Sequence, residues 1–322
     1  MKRRTATRKL TVAGAVFLLP ALQGWSPQEE QGDFTIRSDV RLVLLDVSVS
    51  DRRGSSVSRL SKENFQVLEN GRPQRISIFA KEDLPVTVGI LVDESFSMTP
   101  KRNEVLTAAQ TFIEESNPHD EVFVLNFNDR VTRGLPEPML FSDDIQQLRS
   151  ALHRGVPQGK TALYDAIAAG LEQLKLGRRD KKTLIAISDG GDNASRHKRG
   201  EVVDLVERSA STVYTIGLYD REDPDRDPGL LKSLARISGG EAYFPASAAG
   251  MVPVCRRIAN DIRARYTIGY LPPAQNGAGS LRHIRVRVTA PGRTGLTART
   301  RSIYRYEETG KQTKKEQAQA MD

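Results

Sequence analysis

The stretch PVTVGILVDESFSM, residues 85–98, runs almost continuously apolar and then closes on an acid and two serines. A strand that is apolar on both faces belongs inside a sheet covered on both sides. The same rhythm recurs in EVFVLNF (121–127), KTLIAISD (182–189), STVYTIGLY (211–219) and EAYFPA (241–246). Between and around these runs lie amphipathic helical patterns near 101–116, 143–153, 161–176, 198–210, 228–237 and 250–265. Such alternation predicts an α/β domain over residues 85–265 with a doubly wound mostly parallel sheet.

Outward from that domain the pattern changes. Residues 34–82 read as β structure: VRLVLLDVSVSD, a turn at RRGSS, then two strands of ENGRPQRISIFA around Asn70-Gly71. From 266 to 308 the chain reverts to strands in YTIGYLPP, RHIRVRVTA and RTRSIYRY. These N- and C-terminal segments are expected to pack as one flanking β module. Residues 309–322 are too polar to bury anything and read as a disordered tail.

The first 26 residues read as a signal peptide: basic Lys2, Arg3 and Arg4, the apolar run LTVAGAVFLLPAL, then a polar stretch. The run is short for a bilayer span and contains Pro20, so no stable transmembrane segment is expected after cleavage. The expected location is secreted, periplasmic or cell envelope. The chain has 48 Lys and Arg against 40 Asp and Glu, with much of the excess at its two ends. Interleaved charges such as KRGEVVDLVER (198–208) are ordinary solvated helix faces, and no nucleic-acid partner is expected. Cys255 stands alone, which excludes an intramolecular disulfide; its helical pattern places it on the side of Val252, Ile258 and Ala259 as a buried, inert thiol.

Ligands of a doubly wound sheet gather beyond the carboxyl ends of its strands. Three segments converge there: Asp93, Ser95 and Ser97 after the first strand, Asp189 after the third, and Thr161 in the loop before a helix. Two carboxylates and three hydroxyls are all oxygen donors and suit a hard divalent cation, Mg²⁺ or Mn²⁺. Neutral hydroxyls would leave such an ion enough positive charge to capture a carboxylate from outside. GVPQGKTALYDAI (155–167) looks at first like a nucleotide-binding P-loop. Only three residues separate Gly155 from Gly159, one is Pro157, and the preceding IQQLRSALH is helical, not a strand. Thr161 is better read as a metal ligand at a helix start. Asp192 and Asn193 are compatible with a turn or a ligand role, and the acidic 219–229 loop reads as solvated. His119, His153, His197 and His283 show no zinc spacing and read as surface residues.

Asp93-x-Ser95-x-Ser97, Thr161 and Asp189 together resemble the metal-ion-dependent adhesion site of von Willebrand factor A domains, over roughly residues 85–270. The flanks, VSVSDRRGSSVSRLSKENFQVLENGRPQRISIF and RYTIGYLPP, are similar to segments of a secreted bacterial subfamily. The resemblance implies a Rossmann-like domain in which Ser95, Ser97 and Thr161 touch the ion and Asp93 and Asp189 act directly or through water. It also implies a protein partner supplying an Asp or Glu carboxylate, and no catalysis. Glu94 is a departure, expected to add negative charge near the ion. The alternative is a metal-dependent phosphatase of haloacid dehalogenase type, but Ser95 stands where that family places its acid.

Overall fold

The computed structural model describes residues 42–81, 83–189, 191–219, 226–273 and 281–305. The signal-peptide reading and the tail beyond 308 lie outside the described residues, as does most of the acidic 219–229 loop. In chain order the strands are β1 (Val43–Ser50), β2 (Phe65–Glu69), β3 (Arg72–Gln74), β4 (Ile76–Ala80), β5 (Thr87–Asp93), β6 (Glu121–Phe127) and β7 (Val131–Arg133). They continue with β8 (Lys182–Ser188), β9 (Thr212–Gly217), β10 (Ala242–Tyr243), β11 (Tyr266–Tyr270), β12 (Leu281–Val288), β13 (Thr297–Arg299) and β14 (Ile303–Arg305). The helices are α1 (Arg102–Glu115), α2 (Ile145–His153), α3 (Leu163–Lys175), α4 (Arg199–Arg208), α5 (Pro228–Ser238) and α6 (Met251–Arg263).

The central sheet has the order β10-β9-β8-β5-β6-β7, parallel except for β7. Every residue of β5, β6 and β9 is buried, as their near-continuous apolar runs predict. The chain leaves β5 toward β6 on one side and returns to β8 on the other. The order therefore reverses between β5 and β8, the position where a doubly wound sheet opens a crevice for ligands. Helix α1 packs on α2 and α6, and α3 packs on α4. Cys255 is 1% exposed on α6, and burial pushes its thiol up to about 12, so it is an inert core residue.

The flanking strands form two antiparallel sheets, β13-β1-β11-β4 and β14-β12-β2-β3. Leu45, Val47 and Ile268 of one meet Val67, Ile284 and Val286 of the other in a second core, with Phe65 and Tyr266 in ring contact. Asn70 and Gly71 both have positive φ (48° and 79°), the backbone that a two-residue hairpin between β2 and β3 requires. RTRSIYRY does not form one strand. Its described residues, 299–305, split between β13, paired with β1, and β14, paired with β12, because residues 300–302 carry the chain from one sheet to the other. The module is tied to the α/β domain by Arg299, whose guanidinium meets Glu241 at 2.9 Å and Asp261 at 3.3 Å.

Candidate functional site

Asp93 is the last residue of β5, and Asp189 follows β8 directly, so the reversal of strand order sets two carboxylates side by side. Both are buried, at 2% and 3% exposure. Ser95 stands at the start of a 3₁₀ turn over Phe96–Lys101 without capping it by its side chain, and that turn brings Ser97 back toward the strand ends. The Ser95 N–H donates to Asp93 Oδ1 at 2.8 Å, and Ser188 Oγ donates to Asp93 Oδ2 at 2.6 Å. Ser95 Oγ and Ser97 Oγ lie 3.1 Å apart, and Ser97 Oγ donates to Asp189. Burial first, and the Asp189 charge second, push the Asp93 carboxyl up to about 7; only the Ser188 and Ser95 donors oppose them. The arrangement concentrates oxygen donors and negative charge in a buried crevice.

Thr161 enters by a different route. Its N–H donates to Asn193 Oδ1 at 2.9 Å, and its carbonyl accepts from the N–H groups of Asn193 and Ala194. The main chain of Thr161 is thus clamped to the loop that follows Asp189. Thr161 is not the cap of α3, because Ala162 occupies that position without a capping side chain. The cap comes from elsewhere: Asp192 Oδ2 accepts the Tyr164 N–H at 2.8 Å, and Ser195 Oγ accepts the Asp165 N–H at 3.0 Å. Asp165 in return accepts the N–H groups of Arg196 and His197. Asp192 and Ser195 therefore cap the first turn of α3 from outside the helix. Sequence spacing hides this, since the partners lie about thirty residues apart. Replacing Asp192 with Ala is expected to cost about 1 kcal/mol of stability. The same change is expected to weaken metal binding without removing a proposed ligand, as titration calorimetry beside a thermal melt would read.

Glu94 departs from expectation. Its carboxylate is buried and held by Arg102, Nε to Oε2 at 2.9 Å and Nη2 to Oε1 at 3.3 Å, so its charge is matched by a guanidinium. Arg102 also donates to the Gly155 carbonyl at 2.8 Å. A Cβ at Gly155 would come 2.2 Å from Glu94 Oε1, which explains a glycine there. Phe96 is the residue that sequence reading missed: 73% exposed between Ser95 and Ser97, it breaks the serine pattern with an unburied ring. The helix ahead of the Gly-Lys-Thr stretch is α2, as the rejection of a P-loop requires. The four histidines are all exposed. Among the described residues no three of His, Cys, Asp and Glu gather as a metal cluster; the donors here are two carboxylates with hydroxyls.

Residues 88–191 match the family model of the von Willebrand factor type A domain. The match falls within the α/β part of the chain, which is similar to domains of that family. Over 184 residues the chain is 25% identical to an uncharacterized protein of Synechocystis sp., a match that spans 54% of this chain and 42% of that relative's length. Among solved structures it is similar to a von Willebrand factor type A protein from Catenulispora acidiphila. The TM-score is 0.50 at 13% identity, with 85% of this chain and 76% of that one covered, a likeness of fold alone.

Proposed function

We propose that this chain is an exported interaction protein, secreted or held in the cell envelope, that captures a carboxylate of a partner protein through Mg²⁺ or Mn²⁺. The observation that carries the reading is the buried Asp93–Asp189 pair, hydrogen-bonded to Ser95, Ser97 and Ser188, in which the Asp189 charge raises the Asp93 carboxyl. Two buried carboxylates that repel one another favour a cation between them, and an all-oxygen donor set favours a hard one. Asp93, Ser95, Ser97, Thr161 and Asp189 would hold it. The bound ion would supply positive charge and an open position for an outside carboxylate. Ser188 orients Asp93, and the Asn193 clamp fixes Thr161 relative to Asp189. Export rests on the first 26 residues. No described helix is long and apolar enough to cross a membrane.

The module would have no chemistry of its own. A phosphatase of this layout needs a proton donor two residues after its nucleophilic Asp, and Ser95 stands there. Titration of the full chain with Mg²⁺ and Mn²⁺ is the test, with phosphoester hydrolysis assayed in parallel. Heat of binding lost on Asp93→Ala, and no turnover by either protein, is the expected result. Absence of any heat, or wild-type turnover that the variant abolishes, would sink the reading.

Phe96 provides a separate check. An exposed ring beside a metal-held carboxylate is the kind of residue on which binding energy concentrates. Phe96→Ser is expected to weaken partner binding about tenfold or more while Mg²⁺ affinity stays unchanged. Equal partner affinity of the two proteins would remove Phe96 from the interface.

A further inference from the structure

A cleft of about 540 Å³ opens beside the strand-end site, walled in part by Glu94 and by the loop that leads to Thr161. Asn126, Asn128, Arg130, Arg154 and Val156 are among its lining residues. Its wall is continuous with the site. The Glu94 carbonyl accepts the Gln158 N–H at 2.9 Å, and the Phe96 N–H donates to the Gly159 carbonyl at 3.1 Å. The charges are unequal. Glu94 is matched by Arg102, and Asp129, which also lines the cleft, keeps its charge although its Oδ1 accepts the Lys160 N–H, so one unmatched acid stands against two arginines. Arg130 and Arg154 are exposed, and among the described residues neither guanidinium has an ion-pair or hydrogen-bond partner. Asn126, 2% exposed, gives its Nδ2 to the Ala151 carbonyl and leaves Oδ1 without a partner. The cleft thus offers net positive charge and an unused acceptor.

Resting on the function proposed above, we infer that the cleft is a second subsite for the same partner segment. Arg130 and Arg154 read a second carboxylate on an acidic peptide whose first carboxylate goes to the cation. Gly159 and Thr161 are two residues apart, so the two subsites lie within a few residues of extended chain, at roughly 3.3 Å per residue. Guanidinium groups suit carboxylates because their fork of N–H donors matches two oxygens at once. The partner is therefore an exposed acidic segment with two acids roughly two to four positions apart, with Phe96 against the residues between them. A single acid would use only half of this surface.

The test uses the full chain and labelled Gly/Ser peptides that carry either one Asp or that Asp with a second roughly three positions on, measured by fluorescence polarisation in Mg²⁺. The two-acid peptide is expected to bind wild type about tenfold tighter than the one-acid peptide. In the double variant Arg130→Ala/Arg154→Ala that ratio falls to about one, whereas Arg133→Ala, an exposed arginine on β7 outside the cleft, keeps it. Equal affinities on wild type, no binding of the two-acid peptide, or a ratio that survives the double variant would each overturn the inference. Chelator separates the two proposals. If it leaves both peptides' binding unchanged with the ratio intact, the cation reading fails and the arginine cleft stands.

Discussion

Asp93→Asn is expected to melt higher than wild type in chelator at about pH 8, and to lose the upward shift that Mg²⁺ gives wild type. The folded protein raises the Asp93 carboxyl from 3.8 to about 7, chiefly by burial and then by the charge of Asp189. A raised acid favours the protonated form in the folded state. The stability it contributes is full below pH 3.8, is lost as pH rises, and is gone above about 7. The difference amounts to on the order of 4 kcal/mol at roughly 1.4 kcal/mol per tenfold. Asparagine carries no charge to desolvate, so between about pH 5 and pH 8 its melting temperature in chelator should fall less than that of wild type, the remaining fall coming from Asp120, whose carboxyl burial raises to about 6 in both proteins. A cation offsets the same repulsion, so Mg²⁺ should stabilise wild type more at the higher pH and leave the variant unmoved. Equal chelator melts of the two proteins at both pH values would show that Asp93 is not held under electrostatic stress.

Arg102→Met is the other substitution with a large expected effect. It leaves the Glu94 carboxylate, 2% exposed, without its bidentate partner and takes the donor from the Gly155 carbonyl. Breaking a buried pair from one side costs roughly 3–5 kcal/mol, because the remaining charge cannot reach water. A drop in melting temperature of about 10 °C follows at 2–4 °C per kcal/mol. Adding Glu94→Gln should recover most of it, since the stranded charge is then gone. The exposed Lys175–Glu172 pair, at 65% and 62% side-chain exposure, is the comparison: Lys175→Met should cost roughly 0–1 kcal/mol. An Arg102→Met melt no lower than that of Lys175→Met would refute the account.

The helices and the central strands were legible because periodicity is local: every residue needed to recognise β5 or α3 lies within the element. Asp93, Ser95 and Asp189 were legible for a related reason, since a strand's end and its residue types can both be read in place. What was not legible depends on neighbours far along the chain. Glu94 reads as added negative charge near the ion until Arg102, eight residues on, is seen to pair with it. Asp192 reads as a turn residue or a ligand until α3 is seen to lack a capping side chain of its own. β7 is three residues long and exists only as an antiparallel edge on β6, too short for any pattern to announce it. The division of residues 299–305 between two sheets follows from the packing of the module, not from composition.

β4 and β11 are antiparallel neighbours in one sheet, yet the whole α/β domain is strung between them. The domain is thus a guest inserted into a β-sandwich, and both ends of the described chain belong to the host. Tension applied across residues 42 and 305 would pass through the hydrogen-bonded ladders of the sandwich, chiefly β1 with β11 and β12 with β2, and would bypass the strands that carry Asp93 and Asp189. A tether anchored at both ends could be pulled hard while its grip stayed slack, and the grip would feel the load only after the sandwich had begun to tear.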